Sequence, residues 1–367
     1  MSIDTIPSDI LLLIINNLDC KDVISLLKVN KYFNKFIEDN KNYINFNSSI
    51  NIYNIDNIDN INTEYLVKKL PNIKYKYYIK GSYVGYNGQE YFNNLYFNNN
   101  LVKYSNNIYD LNLACCENIN NINNINSSSI LTIDLSYTSI LDLSFLQNIK
   151  SINKLILRCC NQIIDFSVLE NCKNIEYLDL SHTLISDLSF LKNNKNINKL
   201  ILEYCRMLQD ISVLSSCKNI RYIDLSCCNN LGDLSVLGMF ENIEYIKLFR
   251  YKGQIDLSFL EKCKNIDTLI LSDTMVTDTS KIKNINCLDL SWTNITCITD
   301  VGKVNYLNLS NCYQLKDVSN LKNSQINFLN LYECERISDI SMLSHIHTIN
   351  IRRCSLINIY GLTNIEL

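Results

Sequence analysis

The chain has 367 residues, a net charge of −3 and 19% charged residues. This balance excludes the strong positive field that draws a protein to nucleic acid or to a membrane surface. The length exceeds that of most single domains unless the chain is built of repeats, which extend a fold without requiring a separate core.

Three short helices are predicted within residues 1–45. Pro7 begins the first helix, Asp19 is the N-cap of the second, and Asn30 opens the third. The first helix contains ILLLII, a run of six apolar residues that is too short to span a bilayer. No charged segment precedes this run and no small-residue cleavage site follows it, so the sequence does not predict a signal peptide.

The apolar run covers more of the first helix than a local core requires. One stripe, formed by Ile10, Ile14 and Leu18 at a spacing of four residues, is enough to close a small three-helix unit. The remaining apolar surface predicts a docking site for another protein. The alternative is that this surface packs onto the repeats as an N-terminal cap.

Residues 46–107 are rich in Asn and Tyr. We predict a linker over 46–64 and degenerate capping repeats over 65–107, because terminal repeats are commonly atypical. Within this segment, KKLPNIKYKYYIK interleaves lysines with tyrosines, a pattern that suits single-stranded nucleic acid. The general enrichment in Lys and Tyr and the acidic balance of the whole chain disfavour nucleic acid as a partner.

From Ile108 onward, the phrase I-x-x-L-x-L-x-x-(C or T) and its variants recur twelve times, 19 to 23 residues apart. This period is typical of leucine-rich repeats. The L-x-L of each phrase alternates as a short strand does, with both leucines on one face. Stacked phrases therefore predict a parallel sheet with a continuous apolar core over 108–367, closed by a C-terminal cap that begins at Ile365.

After each bend the chain has roughly ten residues for its return path, often with a motif such as DLSFL or DISVL. This length permits a turn or a short 3₁₀ helix but hardly a long helix. Where Thr ends the phrase, the next apolar residue follows two positions later; where Cys ends it, three positions later. The predicted fold is α/β: a leucine-rich-repeat solenoid, a parallel-sheet horseshoe with a thin convex side, preceded by a small three-helix domain.

The chain contains 16 cysteines. The ninth position of the phrase is Cys in seven repeats, Thr in four and Tyr at Tyr251, which predicts a column of inward-turned packing residues. Metal binding is the weaker interpretation, because no Cys-x-x-Cys occurs and an adjacent pair such as Cys115 and Cys116 would straddle the sheet. A second set, Cys172, Cys217 and Cys263, is also predicted to be buried. Free thiols without a signal peptide predict a reducing compartment, the cytoplasm or nucleus.

No catalytic motif is found in the sequence. It lacks a glycine-rich phosphate loop and a His-Glu-x-x-His, and His182, His345 and His347 have no accompanying carboxylate pattern. We therefore predict a protein that is not an enzyme and that uses no cofactor and no metal.

The N-terminal segment resembles the F-box, in the pattern (I/L)-P-x-(D/E)-I-L-x-x-I-x-x-x-L-x-x-x-D-V-x-x-L-x-x-V-(N/C/S)-K-x-F. Together with the repeats, it makes the chain similar to the F-box/LRR family. The resemblance implies that residues 1–45 bind a Skp1-like adaptor, which connects to a cullin and a RING protein, while the repeats hold a protein target for ubiquitination. The adaptor-binding residues that it implies are Ile6, Pro7, Ile10, Ile14, Leu18, Val23, Leu26, Val29 and Phe33.

One departure from the family limits what the resemblance implies. Many members have longer repeats with a full convex helix, whereas these repeats are closer to the shorter type. No particular target is carried over for this reason. The predicted function is that of a substrate-recognition adaptor in an SCF-type ubiquitin ligase. The alternative is a scaffold that binds or sequesters the adaptor without directing ubiquitination.

The target-binding face is predicted from the strand positions between and beside the inward leucines, which line the concave surface. Repeats with LDLS place only Asp and Ser there, which we interpret as a solvated default. Other repeats carry larger groups, and interfaces are commonly anchored by aromatic and Arg side chains. The predicted target-binding residues are Lys154, Ile156, Arg158, Tyr177, Lys199, Ile201, Glu203, Tyr222, Tyr245, Lys247 and Phe249. The alternatives are that this alternation only improves cross-strand packing, or that the site lies near Trp292, Tyr332 and Arg352.

Overall fold

The structure is a computed structural model that describes residues 108–116, 130–354 and 358–366, with Lys35, Ile119, Ile122 and the backbone of two earlier strands. The nine predicted adaptor-binding residues and the predicted three-helix domain, apart from Lys35, lie outside the described residues. The domain boundary at residue 45 therefore stays a prediction.

The chain divides into two compact units, Met1–Ile175 and Glu176–Leu367, which we call the N-terminal and C-terminal units. In the N-terminal unit, each described strand is parallel to the next and pairs with it in chain order. These strands are β1 (Ile50–Tyr53), β2 (Tyr75–Tyr78), β3 (Ile108–Asn112), β4 (Thr132–Asp134) and β5 (Lys154–Ile156). Two 3₁₀ helices, η1 (Ser144–Asn148) and η2 (Ser167–Asn171), lie on the return paths.

Strand β1 lies within the segment predicted to be a linker, and that prediction is wrong at this strand. Its four residues, INIY, pair in parallel with β2, which lies within the predicted degenerate repeats. The β2–β3 pairing shifts register between Tyr75 and Lys76. Repeat-like pairing therefore starts earlier than the phrase reveals, because backbone pairing needs only a short extended segment and not the L-x-L motif.

The C-terminal unit has the same arrangement. Its strands also pair in parallel and in chain order. They are β6 (Tyr177–Asp179), β7 (Lys199–Ile201), β8 (Tyr222–Asp224), β9 (Tyr245–Lys247), β10 (Thr268–Ile270), β11 (Cys287–Asp289), β12 (Lys303–Asn308), β13 (Gln325–Asn330), β14 (Thr348–Asn350) and β15 (Ile365–Glu366). The 3₁₀ helices are η3 (Ser189–Asn193), η4 (Ser212–Ser216), η5 (Ser235–Met239), η6 (Leu257–Glu261), η7 (Ser319–Asn323) and η8 (Ser341–Leu343).

The repeated phrase sets the core of each unit. Equivalent positions pair across neighbouring strands, so that Leu178 lies beside Leu200 and Leu200 beside Ile223. In the repeat that starts at Ile197, the inward residues Ile197, Leu200 and Leu202 are fully buried. Each buried Leu or Ile contributes about 1.5–3 kcal/mol relative to an exposed one. The fold is a leucine-rich-repeat solenoid, as the sequence predicts.

The return paths are held by an Asp-x-Ser pair at the start of each short 3₁₀ helix. In η4, the Asp210 carboxylate accepts a hydrogen bond from the backbone N–H of Ser212 at 2.7 Å. This N–H, together with the Ser212 hydroxyl, holds the pKa of Asp210 below its usual range. The same pairing recurs at Asp233, where the pKa is lowered by Ser235 for the same reason. The prediction of a short 3₁₀ return path is confirmed.

Two shorter repeats depart from this pattern. The phrases at Ile266, Ile285 and Val304 start 19 residues apart, and no 3₁₀ helix lies between β10 and β12, a stretch that is described throughout. A side-chain pair replaces it: the hydroxyls of Thr279 and Thr299 lie 3.1 Å apart.

The ninth position forms a column of inward hydrogen-bond donors, as predicted. Thr183 donates to the carbonyl of Leu180 in its own repeat at 2.7 Å, whereas Cys205 donates to the same carbonyl from the next repeat at 3.1 Å. Burial raises the pKa of the Cys205 thiol to about 12, so the thiol stays protonated and keeps its donor. The spacing rule also holds, since Ile185 and Leu208 are the buried residues that follow.

Tyr251 is the large exception in this column. It is fully buried, and its hydroxyl donates to the carbonyl of Leu231 at 2.7 Å. Gly253 makes room for it, because a Cβ at that position would lie 2.4 Å from the Tyr251 hydroxyl oxygen. A larger ninth residue is therefore accommodated by a glycine two positions later.

The second set of cysteines is only partly as predicted. Cys172 and Cys217 are buried, but Cys263 is half-buried, so the prediction is wrong in its extent there. Both Cys217 and Cys263 donate to a carbonyl of the preceding repeat, Leu191 at 3.4 Å and Leu237 at 3.5 Å. Their role is the same as that of the ninth position, on the return side of the repeat.

Candidate functional site

The candidate site is the open face, which we define as the surface made by strand side chains that alternate with the buried leucines. All eleven predicted target-binding residues lie on it or directly after its strands, and all are half-buried. Lys154, Ile156 and Arg158 belong to the N-terminal unit, and the other eight belong to the C-terminal unit.

The third phrase position builds an aromatic row across β6–β9. Tyr177, Lys199, Tyr222 and Tyr245 lie in register on consecutive strands. The Lys199 ammonium lies 4.1 Å from the ring centroid of Tyr222 and 5.2 Å from that of Tyr177. The rings of Tyr222 and Tyr245 are stacked, with centroids 4.2 Å apart and planes 9° apart. Cation–π and stacking contacts thus hold all four side chains in fixed positions.

Burial is the main cause that raises the pKa of Tyr222, and the neighbouring Tyr245 and Asp224 raise it further. The phenol therefore stays neutral at physiological pH and keeps its O–H as a donor. This row offers a partner flat aromatic faces, a fixed ammonium and hydroxyl groups.

The fifth position builds a second row, in which Asp179, Ile201, Asp224 and Lys247 lie in register. The Lys247 ammonium lies 3.1 Å from the Asp224 carboxylate. Burial alone lowers the pKa of Lys247, but the charge and hydrogen bond of Asp224 outweigh burial and hold that pKa above its usual value. Lys247 is therefore a structural ion-pair partner as well as a residue of the open face.

The Asp and Ser residues of the LDLS repeats are not a solvated default, and that interpretation is wrong. Asp224 is 3% exposed and Ser226 is fully buried. The Asp224 carboxylate accepts hydrogen bonds from the backbone N–H of Ser226 at 2.9 Å and from its hydroxyl at 2.5 Å. Asp179 and Ser181 repeat this arrangement. These Asp-x-Ser hydrogen bonds cap the ends of the strands, and the residues that make them are buried.

Amides fill the same row in β12–β14, a feature that the sequence interpretation missed. The Asn330 amide donates to Asn308 at 3.0 Å and accepts from Asn350 at 2.9 Å. Beside this amide ladder, the rings of Tyr306 and Phe328 are stacked with centroids 5.3 Å apart. The signal was present in the sequence as LNLS, LNLY and INIR, where Asn replaces Asp.

The residues directly after the strands form a further set of contacts. Arg250 lies over the ring of Phe249, with its guanidinium carbon 4.9 Å from the ring centroid, and pairs with Asp273 at 3.1 Å. Tyr204 and Asp273 raise the pKa of its guanidinium. The sequence interpretation included Phe249 and Glu203 but not Tyr204, Arg250 or Asp273. The eighth position, on which these three lie, has no fixed residue type and so gave no pattern.

Among the described residues, no group of three or more His, Cys, Asp or Glu could hold a metal ion. His345 lies 3.0 Å from the carbonyl of Ser324 and so has a structural contact. Nor, within the described part of the chain, is any helix long and apolar enough to cross a membrane.

Comparison with known proteins adds information at both ends of the chain. Residues 3–45 match the model of the F-box domain. No curated protein matches the chain. A chain of the mouse RP105/MD-1 complex is similar in structure, with 18% identity, 87% of this chain and 59% of that chain covered, and a TM-score of 0.55. This likeness supports the leucine-rich-repeat fold and nothing further.

Two other solved structures are less similar. An internalin from Listeria monocytogenes has 19% identity over 67% of this chain and 81% of its own, with a TM-score of 0.44. The LRR ectodomain of the plant receptor kinase GASSHO1/SCHENGEN3 from Arabidopsis thaliana has 14% identity over 68% of this chain and 39% of its own, with a TM-score of 0.43.

Proposed function

We propose that the chain, in which residues 3–45 match the F-box domain and the described repeats are leucine-rich, is the substrate-recognition subunit of an SCF-type E3 ubiquitin ligase. The observation that carries this proposal is the F-box match, because F-box domains bind Skp1-like adaptors in general. The F-box binds the adaptor and, through it, a cullin and a RING protein. The repeats bind a protein target.

The protein acts without chemistry of its own. One chain binds the target through its repeats and the ligase through its F-box. This raises the effective concentration of the target near the site of ubiquitin transfer. A rigid array suits this role, because ordered side chains lose little conformational entropy when a partner binds.

The open face is the proposed target-binding surface. In the C-terminal unit, its two rows combine aromatic rings, a fixed ammonium and an apolar side chain, Ile201, within four adjacent strands. Interface anchors are enriched in such groups when neighbouring contacts hold them in place. In the N-terminal unit, Lys154, Ile156 and Arg158 form a separate, smaller set.

Cross-strand packing remains the competing interpretation of this face. The stacked tyrosines and the Lys247–Asp224 pair contribute to packing between strands whatever else they do. Substitutions that change target binding without changing stability distinguish the two interpretations.

Adaptor binding is tested with the double substitution Ile10→Asp and Ile14→Asp in the full chain. A carboxylate in an apolar interface costs several kcal/mol, so co-purification of a Skp1-like adaptor and a cullin should be lost. Ile164→Asp is the matched control, because Ile164 is 95% exposed and lies on a return path. Circular dichroism checks that the repeats stay folded. Unchanged adaptor binding by a folded double variant contradicts the proposal.

Target binding is tested with Tyr222→Ala and Phe249→Ala, and separately with Arg158→Ala in the N-terminal unit. A true anchor should weaken capture by about 1–3 kcal/mol, measured as loss of specific proteins in quantitative mass spectrometry of purified complexes. Tyr360→Ala is the control, because this tyrosine is 87% exposed and follows β14, outside the proposed surface. Adaptor recovery should not change. Full capture by all variants moves the site toward Trp292, Tyr332 and Arg352.

The alternative function is a scaffold that occupies the adaptor without directing ubiquitination. The two functions differ in whether cullin is recovered with the adaptor and whether captured proteins carry ubiquitin in its presence. Recovery of the adaptor without cullin supports the scaffold.

A further inference from the structure

The backbone immediately after each strand has an unusual conformation. In every described repeat, the eighth residue of the phrase has a positive φ, between 53° and 63°. These residues are Cys115, Tyr137, Cys159, His182, Tyr204, Cys227, Arg250, Asp273, Trp292, Asn311, Glu333 and Arg353. Such left-handed backbone favours Gly, Asn and Asp, because a Cβ crowds the neighbouring carbonyl.

The fold requires the conformation but not the side chains that carry it. Asp273, Asn311 and His182 are of the types enriched in this conformation, whereas Tyr204, Arg250 and Trp292 are large and are not. Their side chains are exposed or half-buried and so do not fill the core. Large groups kept at strained backbone positions indicate a role for those groups on the surface.

These side chains form a connected surface in the C-terminal unit. The rings of His182 and Tyr204 are stacked, with centroids 4.5 Å apart and planes 12° apart. The guanidinium carbon of Arg206 lies 5.1 Å from the centroid of the same Tyr204 ring. Arg250 pairs with Asp273, and Tyr204 and Asp273 together raise the pKa of its guanidinium. We call this strip, from His182 to Asp273, the turn edge.

Two apolar side chains are exposed on the turn edge. Leu184 is 60% exposed and Met207 is 51% exposed. The neighbouring Ile185 and Leu208 are buried and supply the core contacts of the same turns. Leu184 and Met207 therefore keep more than half of their surface exposed, while their neighbours fill the core.

Cations outnumber carboxylates on this strip. Arg206, Arg250 and Lys252 lie on it with the carboxylate of Asp273, which already pairs with both Arg250 and Lys252. Within the described residues, Arg206 forms no ion pair, and its guanidinium contacts the Tyr204 ring. The turn edge thus combines an available guanidinium with exposed apolar groups held beside it.

We propose that the turn edge is a second interaction surface, which binds a segment of a partner protein that carries an anionic group next to an apolar side chain. The anionic group pairs with Arg206, and the apolar side chain packs on Leu184 and Met207. Charge complementarity selects an anionic segment. The exposed apolar groups favour a protein over nucleic acid, whose outer surface is charged. This surface is distinct from the open face and does not depend on the function of the F-box.

The test uses a phage-displayed library of random peptides selected on the immobilised full chain. The enriched peptides should carry Asp or Glu within one or two residues of Leu, Ile, Met or Phe. A selected peptide is then synthesised with Glu, Gln or phosphoserine at the acidic position, and its binding is measured by fluorescence anisotropy. Glu binding more tightly than phosphoserine assigns the site to a carboxylate, and the reverse order assigns it to a phosphate.

Arg206→Gln and Met207→Ser should each weaken binding of the Glu peptide by about tenfold, the loss typical of an interface anchor. Both side chains lie outside the core, so the variants should fold as the unaltered chain does. Met239→Ser is a closely matched control, because Met239 is 49% exposed on a return path. Arg336→Gln is the second control, since this arginine follows a later strand and pairs with Gln314.

Three results would overturn the proposal. They are a selection without acidic residues, equal binding of the Glu and Gln peptides, and undiminished binding by both variants. A single-stranded oligonucleotide whose binding is lost in Arg206→Gln, with no peptide selected, would assign the turn edge to nucleic acid instead. Adaptor co-purification is measured on the same samples, so that failure of the F-box proposal is seen separately.

Discussion

Two regions of the C-terminal unit solve the same problem with different chemistry. In parallel strands, equivalent side chains lie about 4.8 Å apart, so a polar residue repeated at the fifth position faces its own copy. In β6–β9, the two carboxylates of Asp179 and Asp224 are separated by Ile201, and Lys247 follows them. In β12–β14, three asparagines stand in succession and bond to one another.

The difference shows what a stacked polar row requires. Both Asp and Asn perform the local task, which is to accept the backbone N–H of the seventh residue: Asp224 does so for Ser226 and Asn330 for Tyr332. Only an amide can also donate sideways, because a carboxylate only accepts. Carboxylates on neighbouring strands must therefore be separated by other side chains. In β6–β9 these are Ile201 and Lys247, which give the open face its varied chemistry.

The largest effect is expected for Asp224→Ala. It removes the acceptor of the buried Ser226 N–H and leaves Lys247 without its counter-charge, which should lower the free energy of unfolding by about 2–4 kcal/mol. Asp224→Asn keeps the acceptor and should lose less. Urea denaturation followed by circular dichroism measures both. Equal losses would mean that the strand-end acceptor contributes little.

A smaller effect, about 1–2 kcal/mol, is expected for Asn330→Asp at neutral pH. The new carboxylate loses the hydrogen bond to Asn308 and turns an oxygen toward the Asn308 carbonyl. Its folded-state pKa should rise above the ordinary value of about 3.9, so stability should recover as the pH falls from 7 toward 4. The same urea transitions, repeated across this range, measure the recovery.

Asn305→Asp is the matched control in the neighbouring row. Asn305 accepts from Asn327 through its side-chain oxygen, and a carboxylate keeps that role. It should be tolerated at neutral pH. If both variants lose the same stability, the amide ladder has no special need for its lateral donor.

The smallest effect concerns alkaline pH. The pKa of Lys247 is held above its usual value by Asp224, so the stabilisation is fully present below the unfolded pKa, about 10.4, and is lost as the pH rises through the folded pKa. Between about pH 9 and 11, the free energy of unfolding of Lys247→Gln should therefore fall less than that of the unaltered chain. The difference should be less than about 1 kcal/mol, measured by urea denaturation. In an Asp224→Asn background the substitution should make no difference.

Much of the fold was predictable because the same residue pattern recurs in every repeat. The repeat length and the side-chain size at each position predict the inward Leu positions, the short return path and the Cys or Thr column. Each of these predictions is confirmed. Cys263 shows the limit, because its exposure depends on the return path that follows it and not on the local NCKNI-like motif. Strand β1 was missed because backbone pairing needs no particular side chain.

The candidate site was less predictable. That Tyr177, Tyr222 and Tyr245 point away from the core follows from strand alternation. Strand alternation does not predict that Lys199 contacts two of these rings or that Asp224 is buried beside Lys247. Both contacts depend on which repeats are neighbours and on the register between them. The turn edge was missed for the same reason, since its residues share a backbone conformation and not a residue type.

The sequence by itself determined the repeat architecture, the inward rows and the F-box resemblance, because each rests on residue type at a fixed spacing. Only the tertiary structure decided which polar groups are buried, which cations are paired and which large side chains stand exposed after the strands. Those properties arise between repeats about 22 residues apart in sequence, where a side chain's surroundings are set by its neighbours across the sheet. A phrase repeated along the chain determines the strands, while the contacts between the copies determine the surface.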